Sequence, residues 1–211
     1  MLRICADGAR FRGAVPSRSD RRRGEAAPSS GDPIRLVAVE GCLACDLAEG
    51  RLPLPGGVIY ETSGWFVEHT IGALGVGTLI LKSKRHVTRV SELTPEEAAE
   101  LGPLLVQAAR VVDGLVAPDQ VYTCLWSHAG GTPVHIHYVV QPATRELMDA
   151  YGSYGPHLQV AMFDAAVDPP QVEVEAFADR ARAAFASRQA RRRAASRASL
   201  DPFPAAAARA R

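Results

Sequence analysis

Between residues 58 and 82 the apolar positions fall in short groups rich in β-branched and aromatic side chains, set apart by Gly or Ser. The groups at 58–60, 65–68 and 76–82 read as strands, and their close spacing predicts an antiparallel meander. The rhythm then changes. Leu101, Leu105, Ala108, Val112 and Leu115 recur at intervals of four, three, four and three, which places them on one face of a helix. Thr94, Pro95 and Glu97 supply a capping hydroxyl, a proline at the first helical position and an acid three residues after the cap. Gly114 and Pro118 end that helix near Ala117. Two more strands are expected at 120–126 and 134–140 across a Gly-rich connection. Segments 145–151 and 171–187 read as helices, the second through Val174, Phe177, Ala181 and Phe185. The predicted fold is α+β, an antiparallel sheet of about five strands with one long helix and a C-terminal helical extension.

The chain has 211 residues, 47% hydrophobic and 22% charged, which allows a globular core and excludes disorder of the whole chain. Its net charge of +1 conceals a division: residues 1–33 carry +3, residues 178–211 carry +7, and the middle carries −9. Four segments are expected: a disordered basic leader over 1–33, a globular domain over 34–150, the helical extension over 151–187 and an Arg/Ala-rich tail over 188–211. The best apolar stretch, 71–81, is too short to span a bilayer and holds three glycines. The leader alternates Arg with Gly, Pro, Ser and acids where a secretory signal needs an apolar run, so the expected location is cytoplasmic. The charge of the tails permits contact with nucleic acid, yet they lack the interleaved aromatics that stack on bases.

Chemistry concentrates at two places. With a period of two, His135 and His137 emerge on the same side of the 134–140 strand, together with Val139. Cys42 and Cys45, spaced as CxxC, can reach one ion from a tight knuckle, and a zinc site would then need two further nitrogen or sulfur ligands. CxxC also serves redox enzymes. A thioredoxin-like motif belongs between a strand and a helix, whereas Pro53, Pro55, Gly56 and Gly57 follow here.

The order of these motifs resembles the histidine triad (HIT) superfamily of nucleotide hydrolases and transferases, in its CxxC, zinc-bearing branch. The resemblance rests on the Gly41-Cys42-Leu43-Ala44-Cys45 opening, the segment from Gly77 to His86, Leu93-Thr94-Pro95-Glu96-Glu97, and His135-Ile136-His137, over roughly residues 40–142. It implies structural Zn²⁺ held by Cys42, Cys45, His86 and His135, with His137 as the catalytic nucleophile. It also implies a nucleotide phosphohydrolase or nucleotidyl transferase working through a nucleotidyl-histidine intermediate. Phosphoramidates, dinucleoside polyphosphates or related nucleotide esters would be the substrates, and a homodimer the assembly.

One departure stands out, because the family's third triad histidine is replaced by Val139, which cannot donate to a phosphate oxygen. The loop Ser127, His128, Gly130, Gly131 and Thr132 is expected to contact substrate in its place, with His128 as a substitute donor and the turn from Lys82 to Arg89 adding positive charge. The alternative is a non-catalytic, zinc-containing nucleotide-binding module. His69, Cys124, Trp65 and Trp126 read as structural residues, and His157 has no assignable role.

Overall fold

The computed structural model describes residues 38–125, 127–129 and 132–198. The expected leader, residues 199–211 of the tail, and Trp126, Gly130 and Gly131 lie outside the described residues. Five strands form one antiparallel sheet: β1 (Val58–Glu61), β2 (Trp65–His69), β3 (Leu79–Ser83), β4 (Gln120–Leu125) and, after a short hairpin of β5 (His128–Ala129) and β6 (Thr132–Pro133), β7 (His137–Ala143). Their order is β1-β2-β3-β7-β4, which places β3 and β7 at the centre and leaves β1 and β4 as edges. Helix α1 (Leu43–Ala48) precedes the sheet, α2 (Pro95–Val116) lies between β3 and β4, and α3 (Arg145–Tyr151), α4 (Pro156–Ala165) and α5 (Gln171–Ala198) follow β7. This is the expected α+β architecture. No described helix is long and apolar enough to cross a membrane.

Helix α2 begins where its sequence says it should. The Thr94 side chain accepts from the Glu97 amide, and the Glu97 carboxylate accepts from the Thr94 amide at 2.8 Å. Ala117 closes it in a left-handed conformation with φ 51°. Its buried face is centred on Leu104, Ala108, Val111 and Val112, slightly rotated from the expected stripe, with Leu101, Leu105 and Leu115 only partly buried at its border. The rotation has a cause in α5, which lies alongside α2 and brings Phe177, Ala178, Ala181 and Phe185 into the same core. So the chain has a second long helix, expected only over 171–187, and it completes the cover of one sheet face.

The opposite face is covered differently. Phe163 of α4 packs on Leu74 and Val139, with Ile80 and Cys124 at the border. Leu158 and Met162 pack on Ala143, beside Tyr122, Leu147 and Met148. Gln159 donates to the Gln141 carbonyl oxygen at 2.9 Å, and Gln141 donates to the Leu74 carbonyl at 3.1 Å. Helix α4 falls inside the helical extension expected over 151–187 but is not legible there as a separate helix, because Gly155 and Pro156 interrupt a stretch with little apolar periodicity. Phe163→Ala should cost roughly 3 kcal/mol, the lost burial plus the void left over Val139. A melting point reduced by several degrees in a calorimetric scan checks this.

Two boundaries differ from expectation. The strand expected at 76–82 starts later, at Leu79, because Gly77 adopts φ +95° and donates its amide to His69 Nε2 at 2.9 Å. A Cβ at Gly77 would also come within 3.1 Å of Val116 and 3.2 Å of Pro142, so the turn needs glycine on both counts. The strand expected at 134–140 begins at His137 and runs to Ala143. Residues 134–136 lie outside it: the Val134 amide donates to the Ser127 carbonyl at 2.9 Å, and the Ile136 amide to the Val87 carbonyl of the turn after β3 at 2.9 Å.

Glu100 joins α2 to the turn between β1 and β2 by accepting from Thr62 at 2.5 Å, from the Gly64 amide at 3.0 Å and from Ser63. Burial would raise its pKa, but these donors and the charge of Lys84 hold it below the usual carboxylate value. A depressed folded pKa stabilises the fold above the unfolded value of about 4.3 and loses that contribution as pH falls through the folded value. The stability gap between the wild type and Glu100→Gln should therefore narrow in urea melts as pH is lowered from 6 towards 3.

Candidate metal centre and active site

Cys42 is the N-cap of α1 and Cys45 lies in its first turn, so the CxxC is a helix start rather than a free knuckle. Three residues apart on a helix, the two side chains share a face. That face meets the turn after β3 and the segment entering β7. The Sγ of Cys45 lies 3.4 Å from His86 Nδ1 and 3.5 Å from His135 Nδ1, and the Sγ of Cys42 lies 3.8 Å from His135 Nδ1. All four donor atoms fall within 4.8 Å of one another.

These separations suit a tetrahedral ion. Thiolate bonds of about 2.3 Å and imidazole bonds of about 2.0–2.1 Å meeting at a tetrahedral angle put sulfur and nitrogen roughly 3.5 Å apart. The tautomer of His135 suits it as well. Its Nε2 lies 2.8 Å from the Ser83 carbonyl, which can only accept, so the proton sits on Nε2 and Nδ1 keeps its lone pair for the ion. Burial lowers the His135 pKa to about 4, against the pull of the Ser83 carbonyl and with the help of nearby His86, Lys82 and His137. Burial likewise holds His86 below the usual range. Both imidazoles are therefore neutral near pH 7.

Burial also pushes the Cys45 thiol up to about 11, with the neighbouring Cys42 adding to the rise. Without an ion this thiol stays protonated; a divalent cation at the cluster would reverse that, because thiols that ligate zinc are deprotonated. A Cys₂His₂ set, closed and mostly buried, fits structural zinc. Cys42, Cys45 and Cys124 are free of disulfides.

The frame around the cluster is fixed by polar contacts that sequence inspection did not isolate. The Ser83 hydroxyl donates to the Arg85 carbonyl at 2.9 Å. Arg85 reaches the buried Glu97 carboxylate at 2.8 Å, so the capping residue of α2 also anchors the turn that carries His86.

His137 opens β7 directly after this cluster. Its Nδ1 lies 3.2 Å from the His135 backbone carbonyl, so Nδ1 carries the proton and Nε2 the lone pair. Burial lowers its pKa, the carbonyl contact opposes the shift, and the charge of Lys82 reinforces it. The imidazole is neutral, half-buried and held by a residue that is itself a candidate ligand. His135 and His137 thus do different work: one ring turns towards the cysteines, and the other lies on the sheet face with Val139.

Val139 is completely buried under Phe163 and Leu74. Position 139, where the resemblance would put a third histidine, is core, closed over by α4. Lys82 and Glu68 lie on the same sheet face as His137, with Lys82 Nζ 2.7 Å from Glu68 Oε2 and both side chains buried. Burial raises the Glu68 pKa and the lysine charge opposes the rise.

Of the loop residues expected to meet substrate, Ser127 is described and half-buried, and its carbonyl accepts from the Val134 amide at 2.9 Å. The backbones of His128 and Thr132 pair across the β5–β6 hairpin. Their side chains, with Gly130 and Gly131, lie outside what is described. His69 is a satisfied core residue between the Thr70 carbonyl and the Gly77 amide, as its sequence suggested. His157 is exposed on α4.

No protein-family model matches this chain, and no curated protein matches it. Solved structures do. A Hit-like protein involved in cell-cycle regulation from Bartonella henselae, solved with an unknown ligand, is 15% identical, with 69% of this chain and 97% of that one aligned at TM-score 0.54. A hypothetical histidine triad nucleotide-binding protein from Sulfolobus tokodaii is 16% identical, with 69% and 93% aligned at 0.53. A zinc-bound histidine triad family protein from Mycobacterium smegmatis is 21% identical, with 71% and 96% aligned at 0.52. At these identities the likeness is one of fold, and this chain shares the fold of those histidine triad structures.

Proposed function

We propose that this chain is a histidine triad protein of the zinc-bearing branch, and that it hydrolyses or transfers nucleotidyl groups through His137. The observation that carries the reading is the state of His137. Its Nδ1 lies 3.2 Å from the His135 carbonyl, which holds the ring proton there, burial favours the uncharged ring, and the other nitrogen is left as a nucleophile on a rigid strand. The zinc set supports the same reading: Cys42, Cys45, His86 and His135 would hold the ion, which when bound fixes local structure and leaves no open position for chemistry.

In the proposed reaction Nε2 of His137 attacks the α-phosphorus of a phosphoramidate, a dinucleoside polyphosphate or a related nucleotide ester. A nitrogen–phosphorus bond forms, and the bond to the leaving group breaks with its electron pair on the leaving atom, which takes a proton from water. The ring becomes cationic, and the His135 carbonyl stabilises it through the Nδ1 proton. Water, or an acceptor phosphate, then attacks phosphorus and returns the electron pair to Nε2. Two displacements replace one difficult one. Ser127, His128, Gly130, Gly131 and Thr132 are the proposed substrate contacts on the far side, a homodimer is the proposed assembly, and the cytoplasm the proposed location.

A second reading is favoured by one observation, the burial of Val139 under Phe163. A site that lost its third donor to the core could bind nucleotides without turning them over. The deciding experiment gives purified, metal-analysed protein adenosine 5′-phosphoramidate and follows adenosine monophosphate release, with acid quench to trap nucleotidyl-protein. Release with a trapped intermediate supports the enzyme. Calorimetric binding of adenosine monophosphate without release supports the binding module, and neither result removes both readings.

A further inference from the structure

The chain has 22 arginines and only two lysines, Lys82 and Lys84. Lys84 is near the surface, paired with Glu61 at 2.7 Å and stacked over Phe66. Lys82 is different. It sits in the central strand β3 among Leu79, Ile80 and Leu81, and it is only 1% exposed. In the β3–β7 ladder its Cα partner is His137. Directly opposed residues in an antiparallel pair project to the same face with Cβ atoms about 4.5–5.5 Å apart, so the ammonium stem rises beside the imidazole.

The ammonium is also incompletely satisfied. Glu68 Oε2 lies 2.7 Å away as an ion pair, and beyond that contact the Lys82 ammonium meets no acceptor among the described residues. An ammonium carries three donors. Leaving the other donors unmet in the interior is costly, so a buried ammonium in that state calls for a further acceptor. One side of His137 is closed, because Val139, two residues along the same face, is sealed by Phe163. Across the strand is where a donor remains.

We propose that Lys82 is the phosphoryl-binding cation of this site, placed laterally by the sheet where the third triad position no longer offers a donor, and that Glu68 holds it in that position. The inference rests on the nucleotidyl-transfer reading above and narrows it. The ligand it fits is a phosphoryl group with at least one full negative charge, carried on a nucleoside. A compact point charge suits it, consistent with lysine at this position in a chain where arginine outnumbers lysine 22 to two. The sheet also sets the order of parts across the face: carboxylate on β2, ammonium on β3, nucleophile on β7.

The test uses the full chain with its metal and two probes, adenosine monophosphate and adenosine. Because Lys82→Met alone leaves a buried carboxylate unpaired, the variant is the double substitution Glu68→Gln with Lys82→Met. Expected results are adenosine monophosphate affinity reduced about tenfold or more, adenosine affinity unchanged and one zinc per chain retained. Lys82→Arg should recover part of the phosphate-dependent affinity. A measurement on the wild type stands apart from any folding defect: ¹⁵N-lysine labelling gives two side-chain ammonium signals, and the Lys82 signal should shift with adenosine monophosphate and not with adenosine. Unchanged nucleotide affinity in the double variant, equal weakening for both probes, or an unmoved Lys82 signal in a wild type that binds and turns over nucleotide overturns the role of Lys82 alone. A wild type with no affinity for adenosine monophosphate overturns this proposal and the functional reading together.

Discussion

Replacing His137 with alanine should abolish turnover of adenosine 5′-phosphoramidate, by roughly 10³-fold or more, and should remove the acid-trapped nucleotidyl-protein while leaving one zinc per chain. The size follows from the role. A nucleophile that forms a covalent intermediate cannot be replaced by its neighbours, and a thousandfold loss is about 4 kcal/mol of transition-state stabilisation. Zinc should remain because His137 contributes no atom to the four-residue cluster. Its one side-chain polar contact among the described residues, with the His135 carbonyl, uses backbone that the variant retains. The measurement pairs single-turnover kinetics with metal analysis. Turnover equal to the wild type would remove His137 from the chemistry. Loss of zinc would make it part of the metal frame.

The second large effect concerns Cys45. Cys45→Ser should lose the ion and lower the melting temperature by on the order of 10 °C, the response of a domain this size to a loss of several kcal/mol. The reasoning starts from position. Cys45 is buried, and its sulfur is the only one in the cluster that approaches both imidazoles within 3.5 Å. Losing it removes the contact that ties α1 to the turn after β3 and to the entry of β7. A structural ion in a closed site contributes directly to folding stability, so the apo wild type treated with a chelator should melt near the variant. Activity should fall in both, since His135 holds the Nδ1 proton of His137. A variant that binds no zinc yet melts with the wild type would show that packing alone holds the three segments together.

The two predictions differ in how much of their basis could be read locally. Cys42, Cys45, His86, His135 and His137 were each picked out from spacing and motif order, because ligand and nucleophile chemistry restricts residue type severely. The start of α2 was equally plain, since capping is a contact between residues three apart. Other features were out of reach. His135 and His137 looked like paired residues of one strand, but the first lies outside the ladder, its ring held by the Ser83 carbonyl 52 positions earlier and the next amide, that of Ile136, by Val87, 49 positions before it. Val139 looked like a missing donor, and only the packing of Phe163 shows that the position belongs to the core. Lys82 looked like the edge of a basic turn, and only strand pairing shows that it lies opposite His137.

By itself, then, the sequence determined the α+β class and the long capped helix, and its motif order pointed to the four residues that the fold gathers into one cluster. The class and the helix depend on residue type and on separations of a few positions, and the candidate ligands on the order of short motifs along the chain. Tertiary structure decided which histidine faces the cysteines, which face of the sheet α4 closes, and that the buried Lys82 ammonium stands opposite His137. Those outcomes depend on contacts between segments distant in the chain, whose side chains meet only when the sheet register is set, and no local periodicity encodes that register.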